Sequence, residues 1–139
     1  MQQLLPRLIL SFVAFSVAVA FADAQDKTEA YTATVDKDGV QHIRVIGGGY
    51  FFKPDRIVVK KNIPVELSVS REPGMVPHSI VANAPEAGIV FDESLSSNPK
   101  IIIFTAQATG EYSFYCKNKL PFLPSHREKG MQGIIEVVE

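Results

Sequence analysis

The sequence holds one cysteine, Cys116, in 139 residues. No internal disulfide can form, so nothing covalent staples this fold. Formal net charge is -1 and there is no basic run. The electrostatic footprint of a nucleic-acid or acidic-membrane binder is therefore missing. Histidine and methionine are scarce, three of each. There is no internal repeat and no low-complexity segment. Gly47-Gly48-Gly49 is followed by no helix signal and by no Lys-Ser/Thr pair. It reads as a bulge or strand-crossing device rather than a phosphate cradle. No Ser-His-Asp order and no paired catalytic carboxylates stand out.

What is present begins with an address. Met1 to Arg7 carries one positive charge, Leu8 to Phe21 is an unbroken run of apolar or small residues, and Ala22-Asp23-Ala24-Gln25 is a small-x-small cleavage site. This pattern predicts a secretory signal peptide over 1–24 and a mature domain over 25–139. The apolar run is short against the about 20 residues a spanning helix needs. No membrane span is expected after cleavage; the alternative is an uncleaved anchor. No cysteine stands near the cleavage site, which disfavours a bacterial lipoprotein. The expected location is periplasmic or otherwise extracytoplasmic. Exported proteins use cysteines mostly in pairs, so an unpaired one needs a reason. Cys116 is buried and inert, or paired between chains, or held by a metal.

Hydrophobic residues make up 46% of the chain and charged residues 21%, enough for one core. Short β-prone runs follow one another after the leader. They are Thr32–Val35, Val40–Ile46, Arg56–Lys60, Ile63–Ser70, His78–Asn83, Pro99–Ala106, Tyr112–Cys116 and Gly133–Glu139. Alternation is clear in Ile63–Ser70, where Val65, Leu67 and Val69 interleave with Glu66 and Ser68. Ala84–Asn98 reads as irregular, with a helical turn near Phe91–Leu95. No helix of ordinary length is convincing beyond the leader. The expectation is an all-β sandwich or barrel of seven or eight strands.

The chemistry gathers in Gly110–Gly133. One stretch carries the thiol of Cys116, the imidazole of His126 and the thioether of Met131. His78 stands at the head of an upstream strand. Taken singly, Cys116 is a small buried hydrophobe, His126 a surface residue beside Arg127-Glu128-Lys129, Met131 a core or turn residue, and His78 a strand-end histidine. Together they offer the donors copper takes in thiolate–imidazole sites: one thiolate, two imidazoles and a weak thioether. There are hardly any spares. His42 lies in a separate strand and reads as an edge histidine, and Met75 is the other methionine left after cleavage.

At these residues the sequence resembles the cupredoxins, the small blue-copper proteins, over almost all of the mature chain. Phe52-Lys53-Pro54-Asp55-Arg56-Ile57-Val58-Val59 looks like the family's early F-x-P-x-x-I-x-V strand. Pro77-His78-Ser79 looks like the first ligand histidine with a small hydrogen-bonding residue after it. Gly110-Glu111-Tyr112-Ser113-Phe114-Tyr115-Cys116 looks like G-x-Y-x-F-x-C, and Gly130-Met131-Gln132-Gly133 like the closing ligand turn. The resemblance implies a Greek-key β-sandwich and one copper per chain. It implies His78, Cys116 and His126 as equatorial ligands, Met131 as axial ligand, and Ser79 tying the His78 strand to the ligand loop. It also implies one-electron transfer, with a partly exposed His126 facing partners.

One departure stands out. Nine residues, Lys117 to Ser125, separate Cys116 from His126, where two to four are usual in the family. They include Leu120-Pro121-Phe122-Leu123-Pro124. This insert is either a loop packed onto the sandwich or an exposed apolar ridge that docks a partner, and it raises the expectation of a loosely held His126. A dithiolate-bridged copper pair, as in the oxidase relatives, is excluded by the absence of a second cysteine. A histidine-rich second copper cluster is excluded by the histidine count. The reading is thus an exported, monomeric electron carrier, not an enzyme, serving a redox protein or an oxidase complex. The alternative is a copper carrier or sensor module with the same ligands.

Overall fold

The computed structural model describes residues 29–139; the leader expected over 1–24 lies outside the described residues. The described chain forms ten strands: β1 (Tyr31–Thr32), β2 (Gln41–Gly48), β3 (Phe51–Lys53), β4 (Arg56–Lys60), β5 (Pro64–Arg71), β6 (Ser79–Ala84), β7 (Ile89–Ser94), β8 (Lys100–Thr105), β9 (Gly110–Tyr115) and β10 (Gln132–Val138). They make a sheet of order β1-β4-β10-β9-β6-β7 and another of order β3-β2-β5-β8. No helix among the described residues is long and apolar enough to cross a membrane.

The two-sheet, all-β architecture agrees with the sequence expectation, and the alternation explains it. In β5 the inward positions Val65, Leu67 and Val69 are buried while Glu66 and Ser68 are half-buried. In β10 Ile135 and Val137 point inward in the same way. The inner faces meet in one core, where Phe52 of one sheet packs edge-on against Phe114 of the other at 5.2 Å. Gln41 is a polar residue inside this core, and its amide is fully used. Its Nε2 donates to the carbonyls of Lys60 and Ile63, and its Oε1 accepts from the Lys60 N–H at 2.7 Å. A buried polar group so satisfied ties β2 to the β4–β5 turn without a desolvation penalty.

Two expectations are corrected. The segment read as irregular with a helical turn contains β7, which pairs antiparallel with β6 from Ser79↔Ser94 to Ala84↔Ile89. Its only helical element is a single 3-10 turn, Pro85–Ala87. Asp92 and Glu93 disguise the strand because acidic residues are rare in strands, yet Ile89 and Phe91 are buried while Val90 and Asp92 are exposed. The triple glycine is neither a bulge nor a crossing device. It ends β2 and turns into β3 as a two-residue hairpin, with Gly48 opposite Phe51. The central residues Gly49 and Tyr50 have φ of 46° and 67°, as a hairpin of this length demands.

The register fixes where function sits. Val81 of β6 and Gln132 of β10 both pair with Tyr115 of β9. The residues just before β6, just after β9 and just before β10 therefore share one end of the sandwich. Those residues are His78, Cys116 and Met131.

Candidate metal centre

His78, Cys116 and His126 converge there. One donor atom from each lies within 4.8 Å of the others. The Nδ1 atoms of the two histidines are 3.2 Å apart, and Cys116 Sγ is 3.4 Å from His126 Nδ1. All three are buried, and no carboxylate belongs to the cluster. Met131 is fully buried. Its backbone joins two of them, its N–H donating to the His126 carbonyl at 3.0 Å and its carbonyl accepting from the Cys116 N–H at 3.0 Å. The fourth sequence candidate thus stands in the same loop framework as the other three. His42, the third histidine, is elsewhere, between Asp36 and Glu66.

The nine-residue insert does not loosen His126. The His126 N–H donates to the Asn118 carbonyl at 2.9 Å. The insert is pinched shut at its base, so Lys119–Ser125 bulges outward from a short frame. A second lock follows it. Ser125 and Glu128 form a capping box: the Ser125 N–H and hydroxyl both donate to Glu128 Oε2, at 2.6 and 2.7 Å, and the Glu128 N–H donates back to Ser125 Oγ at 3.2 Å. This S-x-x-E pairing fixes the turn that carries His126. The signal was in the sequence, at Ser125 and Glu128, but no helix follows to draw attention to it.

Burial corrects a further expectation. His126 is not partly exposed; it is 2% exposed. The Tyr50 ring stands edge-on to it at 5.0 Å. Lys129 lies 4.3 Å over the same ring and donates to its hydroxyl. Burial holds the His126 imidazole below the usual histidine range, helped by the charge of Lys129. Burial does the same to His78, with His126 and Arg71 adding to it. Both rings are therefore favoured in the neutral form, the form that binds a metal.

Around the thiol, Ser79 does what the resemblance implied. Its hydroxyl donates to Asn118 Oδ1 at 2.7 Å and accepts from the Lys117 N–H at 3.1 Å, joining the His78 strand to the ligand loop. The Ser79 N–H points at Cys116 Sγ, 3.3 Å away. Asn118 was missed in the sequence; its side chain also lies 3.4 Å from Cys116 Sγ. Such outer bonds orient a ligand and tune it. Gly47 lets the tips of the Leu95 and Met131 side chains pack close to the end of β2. A β-carbon there would stand 2.8 Å from Leu95 Cδ1 and 3.1 Å from Met131 Cε.

The donor set tests the metal. Two neutral imidazoles and a thiol, with no carboxylate, are wrong for calcium or magnesium and right for copper. Comparison with known structures agrees. The metal-binding domain of the Cu(I)-exporting P-type ATPase CopA of Streptococcus pneumoniae, solved with Cu(I), is 29% identical, with a TM-score of 0.59, over 81% of this chain and 98% of that one. A copper binding protein solved in its apo form is 26% identical, with a TM-score of 0.59, over 80% of this chain and 99% of that one. Reduced rusticyanin, at 15% identity, matches in fold with a TM-score of 0.58 over 84% of this chain and 89% of that one. The chain has the cupredoxin-like β-sandwich fold. No protein-family model and no curated protein sequence matches it. Copper is the cofactor that the donor set on this fold fits.

Proposed function

We propose that the chain is an exported protein holding one copper through His78, Cys116 and His126, with Met131 as the weak axial donor, and that it carries single electrons between redox partners. The observation that supports this most is the buried, carboxylate-free convergence of His78, Cys116 and His126. Copper, when bound, supplies one-electron exchange between its two oxidation states. The chain's own residues hold its donors in a fixed frame and keep water out, so that little rearranges between states. The exposed residues Leu120, Phe122 and Leu123 stand out beside the site and form the docking ridge in this reading. The leader over 1–24 places the protein outside the cytoplasm, and it acts as a monomer without catalysis of its own.

The test is titration of the mature protein with Cu(II). An intense thiolate-to-copper absorption at one copper per chain, lost in Cys116→Ser, is expected. Absence of that band, or its survival in Cys116→Ser, overturns the proposal. Met131→Leu should retain copper and raise the reduction potential, because a donor to Cu(II) is removed; an unmoved potential removes Met131 from the set.

A second reading has its own support. The two compared structures above 25% identity are a metal-binding domain of a Cu(I) exporter and a copper binding protein. In that reading the chain is a copper carrier with the same ligands. It predicts fast copper transfer to an acceptor and slow electron self-exchange, and the two rates measured on one preparation separate the readings.

A further inference from the structure

Three of the four candidate ligands are sealed from water. Cys116 and Met131 are 0% exposed and His126 is 2% exposed, while His78 keeps 7%. Tyr50, pinned by Lys129, closes the His126 side. Beyond Tyr50 the surface opens into a pocket of about 160 Å³. Its wall includes Gly48, Tyr50, Glu72, Met75 and His78. Cys116, His126 and Met131 do not reach it. His78 is thus the one candidate ligand that meets this opening.

Met75 stands at the mouth, 99% exposed. The loop that presents it is built. The Arg71 guanidinium donates to the Gly74 carbonyl at 2.6 Å and to the Glu72 carbonyl at 3.2 Å. The Glu72 N–H donates to the Gly47 carbonyl at 2.9 Å, fixing the loop to the end of β2. A framed loop holding a bare thioether three residues before His78 places a soft donor in water beside an opening that reaches His78.

We propose that this pocket is the route by which Cu(I) enters and leaves, with Met75 as its outer ligand. The inference rests on the copper reading of the site. Thioether and thiolate ligands select Cu(I). A thioether has no proton to lose, so Met75 can take Cu(I) from a donor and release it again without acid–base change. His78 then receives the ion from Met75, and Cys116 completes the transfer as its thiol proton passes to water. One Cu(I) enters and one proton leaves, with no change of oxidation state. The thiolate and buried imidazoles of the inner set outbid one exposed thioether, so the ion moves inward unless an acceptor draws it out.

The test is stopped-flow loading of the mature protein from the Cu(I)–bicinchoninate complex, comparing wild type with Met75→Leu, a swap of similar volume at an exposed position. The expected result is a loading rate at least tenfold lower in Met75→Leu, with equilibrium Cu(I) affinity within threefold of wild type and an unchanged rate of Cu(II) loading. Equal Cu(I) rates overturn the route. A parallel loss in the Cu(II) rate also overturns it, because the effect is then one of shape. So does an affinity loss that matches the rate loss, because Met75 is then a resident ligand. A wild type that takes up no Cu(I) overturns the copper reading itself. Loading by wild type and by Met75→Leu at one rate overturns only the route. With carbon-13 methyl-labelled methionine, substoichiometric Ag(I) should shift the Met75 methyl signal in Cys116→Ser; an unmoved signal also counts against the proposal.

Discussion

Ser79 shows how much one small residue carries. Its hydroxyl is shared between Asn118 and Lys117, and its N–H faces the sulfur. Ser79→Ala leaves the Lys117 N–H and Asn118 Oδ1 without this partner and frees the loop end that aims Cys116. Copper affinity should fall about 10- to 100-fold, the usual cost of losing an outer-shell bond, while the far-ultraviolet circular dichroism of the sandwich stays the same. Affinity within twofold of wild type would remove Ser79 from the site. At this scale the sequence was partly legible. His78, Cys116, His126 and Met131 could be named because their donor atoms are rare and suit one metal. Asn118 could not, because asparagine is common in loops and its role depends on which strand lies across from it. The exposure of His126 was misjudged for a similar reason. What covers it is Tyr50, distant in sequence and brought over by the β2–β3 hairpin.

Among the elements, the insert between Cys116 and His126 is the most distinctive. Leu120-Pro121-Phe122-Leu123 is a turn closed by the Leu123 N–H to the Leu120 carbonyl at 3.2 Å. Phe122 sits at its third position with φ of 62° and is fully exposed. A left-handed backbone costs a bulky residue roughly 1–2 kcal/mol, and this position in such a turn favours glycine or asparagine. A strained backbone that holds a phenylalanine out in water is what the proposed docking ridge requires. Phe122→Asn should therefore stabilise the isolated protein by about 1 kcal/mol, read as a higher urea midpoint, and should weaken docking to its partner. A lower midpoint would show that Phe122 packs usefully. The prolines and apolar residues of this insert were visible in the sequence. Its pinched base was not, since the His126–Asn118 backbone bond follows from the fold of the loop and not from either side chain. In β7 the alternation of Ile89 and Phe91 with Val90 and Asp92 was present, but its acidic residues argued the other way until pairing with β6 decided it.

For the whole molecule, the two buried histidines link stability to pH. Burial holds His78 and His126 below the ordinary 6.5. Below pH 6.5 the unfolded chain takes up protons that the folded copper-free protein refuses, so unfolding is favoured as pH falls. Their contribution is whole above about pH 6.5 and is lost on acidification toward the lower folded values. Urea midpoints of the copper-free protein should therefore fall between neutral pH and about pH 5. With copper bound the fall should begin at lower pH, since coordinated imidazoles resist protonation. Identical profiles with and without copper would show that these imidazoles do not bind it. The sequence by itself determined the sandwich and named the candidate ligands. Period-two alternation assigns each strand an inner face, and a lone cysteine with few histidines leaves almost no other donors. Only the tertiary structure decided which side of the centre is closed and which is open. That depends on Tyr50, Met75 and Asn118 arriving from three separate loops, and no pattern local to any one of them records the meeting.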